Sequence, residues 1–181
     1  MRKVLILISL AFLISFASAS SLTLIVSDTT GENGAIVEVP IGLEGATDIG
    51  SMDIVMSYDS EVLQATGVDT GKLGINAYIE SNTVDDGEVI IALADASGIS
   101  GNGPIAVVSF EVIGDTGSSS PLALGDISVH DIGRVEVITT TMDGTFSVTD
   151  KTEDAGYRGA GMLVISALIM ALFAIKRKKE K

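Results

Sequence analysis

His130 is the only histidine of the 181-residue chain, and the chain contains no cysteine. A zinc site of imidazoles and thiolates therefore has too few ligands, and no disulfide can form. Set in the run His-Asp-Ile-Gly, His130 reads as a turn residue rather than the base of a catalytic triad. Carboxylates are plentiful, with 24 Asp and Glu. Paired carboxylates can hydrolyse glycosides, but such sites need a cleft walled by aromatic rings. Residues 20–158 hold no Trp, only Phe110 and Phe146, and only Tyr58, Tyr78 and Tyr157. Phe110, Phe146 and Tyr58 fall at inward positions, so no enzyme is expected. Oxygen ligands for calcium could come from Asp28 with Glu32, or from Asp85 with Asp86. Neither pair has the spacing of an EF-hand loop, and turn acids of this kind are ordinarily solvated.

What remains is recognition chemistry, and it centres on residues 49–68. Met52, Ile54, Met56 and Tyr58 alternate with Ser51, Asp53, Val55 and Ser57. The first set can fill a core and the second faces outward, with one acid in its middle. Asp59 and Ser60 can cap a short turn, after which Val62 and Leu63 return to the core. A second stretch, residues 88–95, is apolar on both faces: Val89, Ile91 and Leu93 on one, Ile90, Ala92 and Ala94 on the other. One face must cover the core. The other is packed under a loop or presented as a smooth docking surface.

The elements that would carry these faces are all strands. Alternation marks residues 22–27, 35–43, 49–58, 77–82, 88–95, 105–113, 122–129, 135–140 and 145–148. Pro40 suits an edge or a bulge. Turns are expected at 28–33, 45–48, 114–120 and 130–133, with loops at 68–74 and in the glycine-rich run 97–104. Asp85-Asp86-Gly87 and Asp143-Gly144 read as hairpin turns. Nine or ten short strands, no helical period before residue 159 and no internal repeat define one all-β sandwich.

Several pieces in order resemble the cohesin module, the domain that docks dockerins. They are VEVPIGLEG, GSMDIVMSYDSEVL, VDTGKLG, GEVIIALADASGISGNGPIAVVSFEV and DGTFSV, spanning about residues 22–148. The family pattern in the second piece is Tyr-Asp-Pro, and here Ser60 stands in place of the proline. The resemblance implies a nine-stranded jelly-roll β-sandwich with no catalytic activity. It implies a dockerin partner, a small calcium-dependent helical module on another protein, packing on the third, fifth, sixth and eighth strands of the family's fold. Carried over position by position, the contact residues are Ser51 (asparagine in many relatives), Asp53, Ala92, Asp95 and Gly98. Val55 and Ile90 join them because the alternation turns them outward. Calcium is expected on the dockerin and is not required by this chain. Two other readings remain: a carbohydrate-binding module of related fold, and a calcium-binding surface or adhesion domain.

The ends of the chain suggest where the sandwich works. Arg2 and Lys3, an apolar run over 4–16 and Ala17-Ser18-Ala19 form a signal-peptide pattern, 1–19, with cleavage before Ser20. Residues 159–175 carry no charge and are followed by Lys176-Arg177-Lys178-Lys179. Seventeen helical residues cover roughly 25 Å, enough for a short transmembrane helix whose basic tail, 176–181, stays in the cytoplasm. The expected organisation is a sandwich at 20–149, a linker at 150–158 and a single-pass anchor, with the domain outside the cell. Residues 20–158 hold 23 acidic and four basic side chains, a net charge of −19. Phosphates would be repelled, which excludes nucleic acid. The acidity suits a salty medium, or a basic partner surface.

Overall fold

Alternating side chains sort this chain into two sheets, and two very long strands join them. The computed structural model describes residues 21–83 and 87–151. Nine strands follow in order: β1 (Leu22–Val26), β2 (Thr29–Glu32), β3 (Ile36–Ser57), β4 (Leu63–Thr70), β5 (Tyr78–Asn82), β6 (Glu88–Val112), β7 (Ser119–Asp131), β8 (Thr139–Met142) and β9 (Gly144–Thr149). The expected all-β sandwich is present. The signal-peptide pattern, the 159–175 segment, its basic tail and the Asp85-Asp86 pair lie outside the described residues. Among the described residues, no helix is long and apolar enough to cross a membrane.

The first sheet runs β8-β1-β3-β6-β4, using the N-terminal half of β3 and the C-terminal half of β6. The second runs β5-β6-β3-β7-β9-β2 and uses the other halves. β3 has 22 residues and β6 has 25. A strand ordinarily has about 5–6. These two reach that length because they cross between the sheets together, as a bent ribbon.

The bend corrects two sequence expectations. Residues 45–48 and 97–104 are not loops. The ladder continues through them, with Ala46 opposite Gly101 and Ile49 opposite Ile99. Its register shifts between Ile41 and Ser51. Asp48, Gly45, Gly98, Gly101 and Gly103 take positive φ there. Glycine therefore serves the bulges that turn the corner and does not end the strands.

Other expectations also change. The turn at 28–33 contains β2, which pairs in parallel with β9. Residues 63–70 form β4, with Leu63 and Ala65 buried and a register shift between Ala65 and Gly67. Of the strand expected at 135–140, only 139–142 forms β8; before it, Glu136 makes an isolated bridge to His130. Asp143-Gly144 is no hairpin, because β8 pairs with β1 while β9 pairs with β7 and β2. Gly144 is required where the chain changes sheets. A Cβ there would lie 2.8 Å from the carbonyl oxygens of Val26 and Ser27.

The inward faces meet as expected. Met52, Ile54 and Met56 of β3, Val89, Ile91, Leu93 and Phe110 of β6, and Phe146 of β9 are buried together. Tyr58 meets Phe110 edge to face, with ring centroids 5.0 Å apart. The turn after β3 is capped by Asp59. Its Oδ1 accepts the Glu61 N–H at 2.9 Å, and its carbonyl accepts the N–H groups of Val62 and Leu63. Ser60 therefore fills the turn without needing a ring to preset φ.

Candidate functional site

The outer face of the second sheet sets its side chains in rows across four strands. β5, β6, β3 and β7 lie side by side, and antiparallel register places residues of like facing opposite one another. One row reads Tyr78, Ala94, Ser51, His130. The next reads Glu80, Ala92, Asp53, Ser128, and the third Asn82, Ile90, Val55, Gly125. The structure thus brings Ser51, Asp53, Val55, Ile90 and Ala92 onto one surface. Ser51, Val55 and Ala92 are half-buried by their neighbours, while Asp53 is exposed and Ile90 is 40% exposed.

Asp53 stands in the middle of this surface, with Ala92 on one side and Ser128 on the other. Both neighbours are short, so the carboxylate rises from a shallow trough. A bulge on β7 follows directly. β3 advances from Asp53 to Val55 while β7 advances from Ser128 to Gly125, and Asp126 takes φ 43°.

Asp95 and Gly98 lie at the end of the surface. Between the pairs Ser51–Ala94 and Ile49–Ile99, β6 has four residues, 95–98, against only Gly50 on β3. The extra residues arch away from the sheet. Asp95 Oδ1 accepts the Ser97 N–H at 2.8 Å, which fixes the arch. Asp95, Ser51, His130, Asp131, Ile132 and Arg134 are among the residues around an open hollow of about 600 Å³. Gly50 forms part of its wall, and a Cβ there would come 2.9 Å from the Asp131 carbonyl oxygen. Gly98 does not face the trough. Its added Cβ would meet Asp48 Cα and Ile132 Cγ2, both at 3.1 Å, so its role is to let the arch pack closely.

The sequence reading missed the two outer columns of this face. On β5, Tyr78 is 68% exposed and its phenol donates to Glu80 Oε1. That hydrogen bond, together with the carboxylate charge, raises the Tyr78 pKa above its ordinary value. The alternation of residues 78–82 was the available signal. On β7, His130 is not a turn residue. It lies within the strand, half-buried and in register with Ser51. Its signal was masked by Gly133, whose break falls three residues later.

Of the calcium candidates, Asp28 and Glu32 lie among the described residues. Asp28 Oδ1 accepts the Thr145 N–H at 2.9 Å and locks a turn. Among the described residues, no group of three His, Cys, Asp or Glu side chains is placed to hold a metal ion.

These features define a β-sandwich module with one sheet face whose central acid is flanked by small side chains and which ends in an open hollow. Residues 22–148 match the model of the cohesin domain, and the chain belongs to that family. It is 27% identical over 161 residues to the cellulosomal-scaffolding protein A of Acetivibrio thermocellus, covering 80% of this chain and 9% of that protein. Among solved structures it is similar to a non-cellulosomal cohesin from the hyperthermophilic archaeon Archaeoglobus fulgidus. That likeness has a TM-score of 0.67 at 28% identity, over 77% of this chain and 99% of that one. It shares its fold with the sixth cohesin of scaffoldin B from Acetivibrio cellulolyticus, solved in complex with the Cel5 dockerin. There the TM-score is 0.64 at 23% identity, over 71% of this chain and 99% of that one.

Proposed function

We propose that this chain is a non-catalytic docking module that binds dockerin-bearing secreted proteins, including enzymes of polysaccharide degradation. Ser51, Asp53, Val55, Ile90, Ala92 and Asp95 form its contact surface. One observation carries the reading: in a chain of the cohesin family, four adjacent strands present one face whose inner strands set Ser51, Val55, Ile90, Ala92 and Ala94 around the exposed carboxylate of Asp53. A partner helix can lie close to the inner strands, because the side chains beside Asp53, those of Ala92 and Ser128, are short. The 1–19 and 159–181 patterns support display at the cell surface, anchored by a single pass. A short linker would then bring the partner to the membrane.

The test is calorimetric titration of the full-length chain with each dockerin encoded in the source genome, with calcium and with a chelator. Calcium is assigned to the dockerin. The chelator should abolish binding and leave the thermal unfolding of this chain unchanged. A folded chain that binds none of these dockerins would overturn the reading and direct the search to glycans and coat proteins. A chelator-induced loss of stability would favour the calcium-binding alternative.

A further inference from the structure

The bend shared by β3 and β6 closes around one side-chain amide. Between the pairs Leu43–Gly103 and Ala46–Gly101, β3 has two residues, Glu44 and Gly45, against only Asn102 on β6. The Gly45 N–H donates to Asn102 Oδ1 at 2.8 Å, so a side-chain carbonyl stands where a ladder carbonyl would be. That bond settles which end of the amide is which. The oxygen faces Gly45, and the NH2 group makes no hydrogen bond with the described residues. Asn102 is exposed, and Gly101 and Gly103 on either side take φ of 119° and 143°. Glu44, Asn102, Gly103 and Pro104 are among the residues around an open hollow of about 280 Å³, so water reaches the amide.

An asparagine carries an electrophilic carbon, Cγ, within five-membered-ring reach of the next residue's backbone nitrogen. A following glycine hinders that attack least, because it has no Cβ. The chain has four asparagines, and Asn76 and Asn82 are followed by Ala77 and Thr83, whose side chains crowd the nitrogen. Asn33 and Asn102 are each followed by glycine, and the structure treats the two differently. Asn33 Nδ2 donates to the carbonyls of Ile113 at 3.1 Å and Gly114 at 2.8 Å, and the Gly34 N–H donates to the Val112 carbonyl at 2.8 Å. Leaving group and nucleophile are both held there. At Asn102 the atom held is the oxygen. A backbone N–H on Oδ1 draws electrons from Cγ and meets the negative charge that forms on that oxygen during attack.

We propose that Asn102 is a site of spontaneous deamidation, with water as the only co-reactant. The Gly103 nitrogen attacks Asn102 Cγ. The N–Cγ bond forms, the Cγ–Nδ2 bond breaks, and the amide nitrogen leaves as ammonia with the proton that Gly103 gives up. Water then opens the five-membered imide, and nothing is oxidised or reduced. Attack at Cγ yields a normal aspartate. Attack at the main-chain carbonyl leaves the chain running through Cβ and Cγ, an isoaspartate with one more main-chain atom in β6. Either product adds a carboxylate to the hollow that Glu44 lines. The pairing of Leu43 with Gly103 sets the pace, because the nitrogen must turn toward Cγ and the corner opens locally first. The isoaspartate moves the carbonyl that clasps Gly45 into the main chain, so older molecules hold the bend less firmly.

The test incubates the unaltered full-length chain in mildly alkaline buffer made with heavy-oxygen water and follows each asparagine by peptide mass spectrometry. In the folded chain, label should enter at Asn102 at least about tenfold faster than at Asn33. In urea neither amide is held, and the two rates should converge. A folded chain that deamidates at Asn33 as fast as at Asn102 overturns the proposal. So does a folded chain that leaves Asn102 unlabelled over a time in which the chain in urea takes up label there. The same preference in urea as in the folded state would trace it to local sequence instead of the Gly45 bond, and would overturn the proposal as well.

Discussion

Replacing Asp53 with alanine separates a docking role from a structural one. The Asp53 carboxylate makes no hydrogen bond or ion pair with the described residues, and it is exposed between Ala92 and Ser128. The fold asks little of it, so its removal should change stability by no more than about 0.5 kcal/mol. For a domain of this size that is a shift in Tm of about 2 °C or less. Docking asks more. A partner cation about 4 Å from the carboxylate gains roughly 4 kcal/mol of Coulomb energy at an effective dielectric constant near 20. Loss of hydration cancels much of this, leaving about 1.5–3 kcal/mol for a charge-assisted hydrogen bond. At about 1.4 kcal/mol per tenfold, Kd should rise by roughly 10- to 150-fold. Asp53→Asn keeps an acceptor and should lose less. The assay is calorimetric titration of both variants against a dockerin that binds the unaltered chain, beside a thermal melt. Affinity within twofold of the unaltered chain would refute the reasoning, and so would a loss of affinity explained by partial unfolding.

Other expected outcomes concern the frame and the face's outer column. Phe110→Ala removes a fully buried ring and its edge-on contact with Tyr58. It should cost about 3–5 kcal/mol in a urea titration, and a loss below about 1 kcal/mol would mean the core does not depend on that packing. Gly71→Ala places a Cβ 2.3 Å from the Pro104 carbonyl oxygen. It should cost about 1–3 kcal/mol, whereas Gly67→Ala, which meets nothing within 4 Å, should stay within about 0.5 kcal/mol of neutral. Equal urea midpoints for the two would contradict the close approach at Gly71. Finally, Glu80→Gln should move the ionisation of Tyr78 to lower pH, followed by phenolate absorbance. The folded pKa is raised, so the pair's contribution is present below the phenol's ordinary pKa, near 10, and fades as pH rises through the raised value. An unchanged titration curve would remove Glu80 as the cause.

How far the sequence could be read depended on whether a feature is local. Alternation is local, so Met52, Ile54 and Met56 were legible as inward and Asp53 and Val55 as outward, and the pleat leaves no other choice once one face is buried. The Asp59 turn was legible for the same reason. Glycine misled because the same residue ends a strand or bends it, and which happens depends on a partner far along the chain. The run 97–104 continues β6 only because residues 41–51 bulge beside it. The positive φ that a loop would need is the φ the corner needs. β2 shows the limit from the other side. Thr-Thr-Gly-Glu carries no strand pattern, and it is ordered by the backbone of β9, 117 residues away in the Thr29–Phe146 pair. The candidate site divides along the same line. Its inner columns belong to strands with strong alternation, and their outward residues could be named. Its outer columns depend on pairing: β5 is placed by β6 and His130 by Ser51. If specificity resides in those outer columns, relatives with the same inner pattern will differ in partner choice where sequence alone is least informative. Exchanging residues 78–82 between two cohesins of different specificity would then carry part of the preference across. An exchange that leaves both preferences intact would locate specificity in the inner columns instead.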